Sequence, residues 1–384
     1  MKILQKLEAG EITAEAAMKQ LNQENEANAE SIGNDINYKN PGDTAFYEGI
    51  HKQPPNWIDS LAGWVGEVVD DVKSGINDME IPVNVSDFVN GTYSHNKKSV
   101  TFTHPVAQSI AELTLIGKND KVVIKGYDGD SVNIYCDYNA RRIDSVVQLH
   151  EDNGRLAIAY NPVEMRSVGI LCEVPRVLIS HLHVETKNGG ISVSEVDTNA
   201  ASIITKNAYI TLQDFYCKEQ LEAHSKNAPI KAERVSASAM TVSTSNGKIS
   251  AENIRTWSAR FITTNAKVKT YGLDVVNLYI KTSNSSIKLD KTLIALDGLI
   301  WDEERTIEAI TTNSGIVCYM PQGIAVNMDA ITFGGRVTSD LADMGIIHES
   351  REHLQACNNG YFSSAKKLKL ILNTTNASVK IRAK

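Results

Sequence analysis

The sequence predicts a mainly β protein, a parallel β-solenoid (β-helix) with about 19 residues per coil, preceded by a small α-helical amino-terminal region. Three observations predict it. A Thr/Ser-x-Asn-x-x-Ile/Val phrase recurs at a near-constant interval, the residues around it alternate apolar and polar, and helical periodicity is confined to the first 80 residues. Composition agrees. Aromatics are 6% of 384 residues and prolines only 9, which suits short strands packed by small aliphatics and argues against wholesale disorder.

Residues 1–24 read as a helical hairpin: Ile3, Leu4 and Leu7 form one apolar stripe, Gly10 breaks it, and Thr13 caps a second helix that buries Ala16, Ala17 and Leu21. Residues 25–56 are polar, carry Pro41-Gly42 and Pro54-Pro55, and read as a linker. Residues 57–80 hold an amphipathic helix. Trp57, Ile58, Leu61, Trp64, Val65, Val68, Val69, Val72 and Ile76 fall within an arc of about 140° at 100° per residue. Gly63, Gly66 and Gly75 weaken this helix, so it needs something to dock on. Two roles fit: a cap on the first coil of the solenoid, or an arm that meets a membrane-associated partner through its apolar stripe.

Residues 81–384 carry the repeat. Its asparagines are Asn188, Asn207, Asn227, Asn246, Asn265 and Asn284, at steps of 19, 20, 19, 19 and 19, and the phrase returns at Asn313 and Asn376. Glu151-Asp-Asn153-Gly-Arg-Leu156 reads as a weaker upstream copy. Each asparagine is expected to turn a tight corner in the left-handed region, and stacked coils are expected to align the eight into a structural, hydrogen-bonded ladder beside an apolar column. The period breaks twice. The step of 29 between Asn284 and Asn313 includes Asp297 to Arg305, and the step of 63 between Asn313 and Asn376 reads as three coils plus six residues.

This combination resembles the bacterial putative-adhesin family of β-strand-repeat proteins, several of which begin with a SHOCT-like helical hairpin. The residues that carry the resemblance are Lys6-Leu-Glu-Ala-Gly10-Glu-Ile-Thr13-Ala-Glu-Ala-Ala17, Val174-Pro175, the Thr-Ser-Asn246-Gly-Lys-Ile phrase, and Leu368 to Ile381. The resemblance covers the hairpin and roughly residues 100–384. It implies a right-handed solenoid and a role in the envelope or its stress response, and it transfers no catalytic residue.

Chemistry is sparse. The five cysteines are widely spaced, with no Cys-x-x-Cys pair, and read as reduced buried thiols. His181-Leu-His183 puts two imidazoles on one side of a strand without a spaced third ligand. His348 and His353, read as helical, lie too far round the helix to share a metal. Asp302-Glu303-Glu304 reads as a solvated acidic loop, and Gly334-Gly335-Arg336 opens no phosphate loop. No cofactor or metal is assigned.

Net charge is -7, and residues 1–80 alone hold 6 basic and 15 acidic side chains, so the remainder carries +2. From Leu354 onward there are six basic residues and no acid. Basic residues placed at one end, and not over one face, argue against nucleic acid. The partner is then a protein, membrane-associated or not. Carbohydrate has no specific support, and oligomeric state is left open. No apolar run is long enough for a signal peptide or a bilayer span, so the default address is the cytoplasm, with membrane association left open. The expected function is a non-catalytic scaffold or adhesin-like binding protein. The alternatives are a β-helical polysaccharide lyase or hydrolase, with acids gathered from different coils, and a self-assembling filament.

Overall fold

The computed structural model describes residues 97–106, 109–292, 304–321 and 323–384. The helical hairpin, the linker, the Trp57 to Ile76 helix and most of the Asp297 to Arg305 insertion lie outside the described residues. Those described are mainly β, in strands whose burial alternates with the pleat. In Ile249–Thr263, for example, Ile249, Ala251, Ile254, Ala259 and Phe261 face inward and are buried.

The amino-terminal part is not yet regular. Its strands are β1 (Lys97–Pro105), β2 (Ile110–Ile116), β3 (Asn119–Tyr127), β4 (Ser131–Ala140), β5 (Gln148–Asp152), β6 (Arg155–Ala159) and β7 (Met165–Pro175). Strands β1, β4 and β7 pair antiparallel, and β7 then lies parallel on β3. The β5–β6 hairpin lies on β2. Asn153-Gly154 is the two-residue turn of that hairpin, with φ of 48° and 76°. Asn153 is therefore a hairpin residue and no copy of the repeat corner, because Asn-Gly with both φ positive is what a tight hairpin demands.

The regular repeats comprise β8 (Ile179–Thr186), β9 (Ile191–Ser194), β10 (Asp197–Thr205), β11 (Ile210–Ser225), β12 (Ile230–Thr244), β13 (Ile249–Thr263), β14 (Val268–Lys281) and β15 (Ile287–Thr292). They pair in parallel, and the register matches Ile230 to Ile249, Ile249 to Val268 and Val268 to Ile287. The period seen in sequence is thus the step from one strand layer to the next. It stacks Ile191, Ile210, Ile230, Ile249, Val268 and Ile287 into one buried column.

Where the chain turns within a repeat differs from the sequence expectation. None of the eight predicted asparagines has positive φ; left-handed residues recur instead at Glu195, Asp214, Arg234, Asn253, Gly272 and Lys291, a second corner at steps of 19, 20, 19, 19 and 19. The asparagine corner closes by another device. The hydroxyl three residues before the bend takes up a backbone N–H, as when Gly247 N donates to Thr244 Oγ1 at 3.1 Å.

The carboxy-terminal strands are β16 (Arg305–Ile310), β17 (Ile316–Met320), β18 (Ala325–Thr332), β19 (Val337–Ser339), β20 (Met344–Glu349), β21 (His353–Asn358), β22 (Lys367–Thr374) and β23 (Val379–Ala383). They do not stack in chain order. β22 sits between β16 and β18, and β23 between β17 and β19. The span from Asn313 to Asn376 is therefore not three successive coils. It is one outer repeat, an antiparallel β20–β21 hairpin that pairs onto β18, and a return into the slot left beneath.

Candidate functional site

The most continuous arrangement of side chains on this frame is the asparagine corner. Asn207 donates its amide to Asn188 at 2.5 Å, Asn227 to Asn207 at 2.6 Å, Asn246 to Asn227 at 2.8 Å, and Asn265 to Asn246 at 2.7 Å. The file continues from Asn284 to Asn265 at 2.6 Å, from Asn313 to Asn284 at 2.7 Å, and from Asn376 to Asn313 at 2.8 Å. The structure so brings together all eight asparagines named from sequence. A ninth rung was missed. Asn188 donates to Asn119 Oδ1 at 2.5 Å, and Asn119 Nδ2 ends the file on the Arg166 carbonyl at 2.7 Å. The signal was present as Lys118-Asn119-Asp120-Lys121-Val122, but Gly117 stands where the phrase has Thr.

Behind the exposed amides runs a buried row of hydroxyls. Thr205, Ser225, Thr263, Thr282 and Thr311 each donate to the carbonyl just after the asparagine of the neighbouring repeat, at 2.9 to 3.2 Å. Thr332 and Thr374 do the same at 2.6 and 2.8 Å. All seven are buried. Each hydroxyl satisfies a carbonyl that would otherwise be shut away from water, a loss worth about 1–3 kcal/mol per group. The asparagines, by contrast, are exposed. An amide has two N–H donors, and the ladder uses one, so every rung keeps a donor for a ligand.

The other candidate groups are differently placed. His181 and His183 lie on β8 beside Glu112 and Thr114 of β2. Glu112 is buried, takes a hydrogen bond from Thr114 at 3.3 Å, and lies 3.6 Å from the Arg155 guanidinium. Burial holds the His181 imidazole below its ordinary pKa, and the His183 ring holds the Glu185 carboxyl below the usual range. His348 and His353 are not helical. They sit on β20 and β21 with ring centroids 4.7 Å apart, and His353 Nε2 is 2.8 Å from Asp329 Oδ1. The helical angle that separated them does not apply, because the two strands of a hairpin bring diagonal neighbours together, His348 lying opposite Gln355. Among the described residues no group of His, Cys, Asp and Glu is placed to hold a metal.

Of the acidic loop only Glu304 is described, and it accepts the Tyr361 hydroxyl at 2.5 Å. Gly334-Gly335 forms the corner of the outermost repeat, with Gly335 packed against the Ala377 carbonyl. Cys136, Cys172, Cys217 and Cys318 are buried free thiols and Cys357 a half-buried one. Burial raises the thiol pKa of Cys136, Cys217 and Cys318 to about 12. An open cleft of about 380 Å³ lies under the terminal hairpin between Met328, Val337, Met344 and Leu354, with Arg336 and Glu349 on its rim. Among the described residues no helix is long and apolar enough to cross a membrane.

Comparison with known proteins gives a family and a set of distant likenesses. No curated protein matches the chain. A putative cell adhesion protein from Clostridium sporogenes aligns at 11% identity over 75% of this chain and 100% of its own, with a TM-score of 0.23. A putative adhesin from Bacteroides fragilis aligns at 9% identity over 74% and 97%, with a TM-score of 0.35. A putative lipid binding protein from Parabacteroides distasonis aligns at 10% identity over 74% and 97%, with a TM-score of 0.29. The family profile described as Toastrack DUF4097 matches residues 110–315, more than half of the chain. That stretch opens on the first residue of β2 and contains eight of the nine rungs, Asn119 to Asn313, and on this match the chain belongs to the Toastrack DUF4097 family.

Proposed function

We propose that this chain is a non-catalytic, adhesin-like binding scaffold of the bacterial envelope or its stress response, built as a right-handed parallel β-solenoid. The hand is the usual one for connections between parallel strands. The observation that carries the reading is the asparagine corner: nine exposed amides in one file, held from behind by buried hydroxyls. A rigid row of unspent donors is a binding surface whose geometry is set before any ligand arrives.

The lyase or hydrolase alternative needs carboxylates free to act on a sugar. Here several carboxylates are already engaged: Asp214 with Arg234 at 2.6 Å, Asp274 with Arg305 at 2.7 Å, and Asp290 with Lys384 at 2.6 Å. The deciding experiment incubates the full chain with a panel of acidic polysaccharides and follows both retention on the polymer and release of new chain ends. Retention without new ends is the expected result. Release of ends that persists through repurification of the protein would overturn the non-catalytic reading.

A further inference from the structure

The asparagine corner also carries a pattern in charge. Lys118, Lys187, Lys206 and Lys226 immediately precede rungs Asn119, Asn188, Asn207 and Asn227, on four successive layers. Two positions after the rung stand Lys121, Lys248 and Lys267, with Arg336 in the equivalent place on the outermost repeat. Four positions after it stand Lys231, Lys269, Lys288 and Lys380, on the outward side of the first sheet segment. Over ten layers this window holds twelve cations and one carboxylate, Asp120, on a chain whose net charge is -7. Spread along the chain from Lys118 to Lys380, these basic residues are, in register, gathered on one corner.

The charge is largely uncompensated. Lys231 reaches Glu233 at 2.6 Å and Lys288 reaches Asp290 at 3.6 Å. Among the described residues no carboxylate is within ion-pair distance of Lys187, Lys206, Lys226, Lys248, Lys267 or Lys269. At Lys118, burial and then the charges of Arg141 and Lys187 hold the ammonium below its ordinary pKa. With layers about 4.8 Å apart, nine rungs form a cationic line roughly 38 Å long. Such a line matches an extended polyanion better than a compact anion.

We propose that this corner binds a linear acidic polysaccharide laid along the stack, its carboxylates met by the lysines and its hydroxyls by the ladder amides. The proposal deepens the binding-scaffold reading and rests on it. Single-stranded nucleic acid fits less well, since its binders stack bases on aromatic rings and the window holds only Tyr209 and Phe333. Eleven of the twelve cations are Lys, point charges without the planar fork that suits phosphate. An anionic bilayer would press on the adjacent outward column as well, where Glu233 and Glu252 stand.

The test uses the full chain and polygalacturonate, with dextran as the uncharged control and oligothymidylate and phosphatidylglycerol vesicles as competing polyanions. A ridge variant carries Lys206→Glu, Lys226→Glu and Lys248→Glu. A control variant carries Lys97→Glu, Lys218→Glu and Lys369→Glu, three equally exposed lysines elsewhere, so both have the same net charge. The ridge variant should bind polygalacturonate about tenfold or more weakly at low salt, the control should stay within about twofold of wild type, and wild-type affinity should fall steeply with salt. A milder Lys206→Gln, Lys226→Gln, Lys248→Gln variant should fall between, which separates lost charge from lost folding. Equal weakening of both triple variants, no binding to polygalacturonate, or tighter binding to oligothymidylate or vesicles would overturn the proposal. Cleavage of polygalacturonate by wild type, with binding still lost in the ridge variant, would leave the ridge standing and remove the non-catalytic reading instead.

Discussion

The hydroxyl of Thr244 accepts the N–H of Gly247 at 3.1 Å and donates to the Ala228 carbonyl at 3.3 Å, so one buried side chain closes its own corner and ties it to the layer beside it. Asn246, two residues on, exchanges amide hydrogen bonds with Asn227 and Asn265 in full view of solvent. Water can replace the second set and not the first. Thr244→Val should therefore cost about 1–3 kcal/mol, Asn246→Ala about 1 kcal/mol or less, and Thr244→Ser little. Urea unfolding of the three variants checks the order, and a larger loss for Asn246→Ala would refute it. At this scale the asparagines were legible because they repeat. The threonines repeat equally well, yet nothing in the phrase says which of the two side chains faces in. Asn119 and Asn153 sit in similar phrases, and only strand direction makes one a rung and the other a hairpin turn.

Among the elements, β14 shows how a repeat is tied to the strand on the far side of an insertion. Asp274 at its middle is buried and meets Arg305, the first residue of β16, at 2.7 Å, with the Arg255 guanidinium 3.5 Å from its other oxygen. Arg305 is buried too, and also donates to the Val275 carbonyl at 3.1 Å. Two charges were desolvated to form this contact, so its net value is small, but removing one partner leaves the other buried without it. Asp274→Ala should cost about 3–5 kcal/mol, whereas Asp274→Leu combined with Arg305→Met should recover most of that loss. Equilibrium denaturation of the single and double variants measures the coupling, and simple additivity of the two losses would sink the assignment. Sequence marked Asp297 to Arg305 as a break in the period, and the break is real at its far end. It could not show that Arg305 turns inward, since an arginine after three acids reads as surface until its partner on β14 is known.

For the whole molecule, the question is how a stack of parallel strands ends. An open last layer would offer a free edge to another copy, which is the basis of the filament alternative. At the carboxy-terminal end the outer strand β18 is covered instead by β21, and the new edge, β20, is short and carries a register shift between Ile346 and His348. At the amino-terminal end β1 pairs antiparallel with β4, and β5 pairs antiparallel with β6, which itself lies parallel on β2. The short, irregular β20 edge resists further pairing. Light scattering should accordingly find no growth of the intact protein with concentration. Removing Met344 to Asn358, with the flanking residues joined by a short Gly/Ser linker, should expose β18 and produce concentration-dependent association. Growth of the intact protein into filaments would contradict this account. By itself the sequence determined the strand class, the 19- and 20-residue steps, the buried apolar column and eight rungs of the ladder, because a period repeated in the chain must repeat in space when each unit can bury its apolar side only against the next. Tertiary structure alone decided that the last repeat in sequence slots beneath the one before it. It also decided that the recurring left-handed corner lies away from the eight asparagines predicted as turns, and that lysines scattered from Lys118 to Lys380 converge on one corner. These depend on which layers pair and in what register, a choice made by contacts between residues far apart in the chain, which no local pattern records.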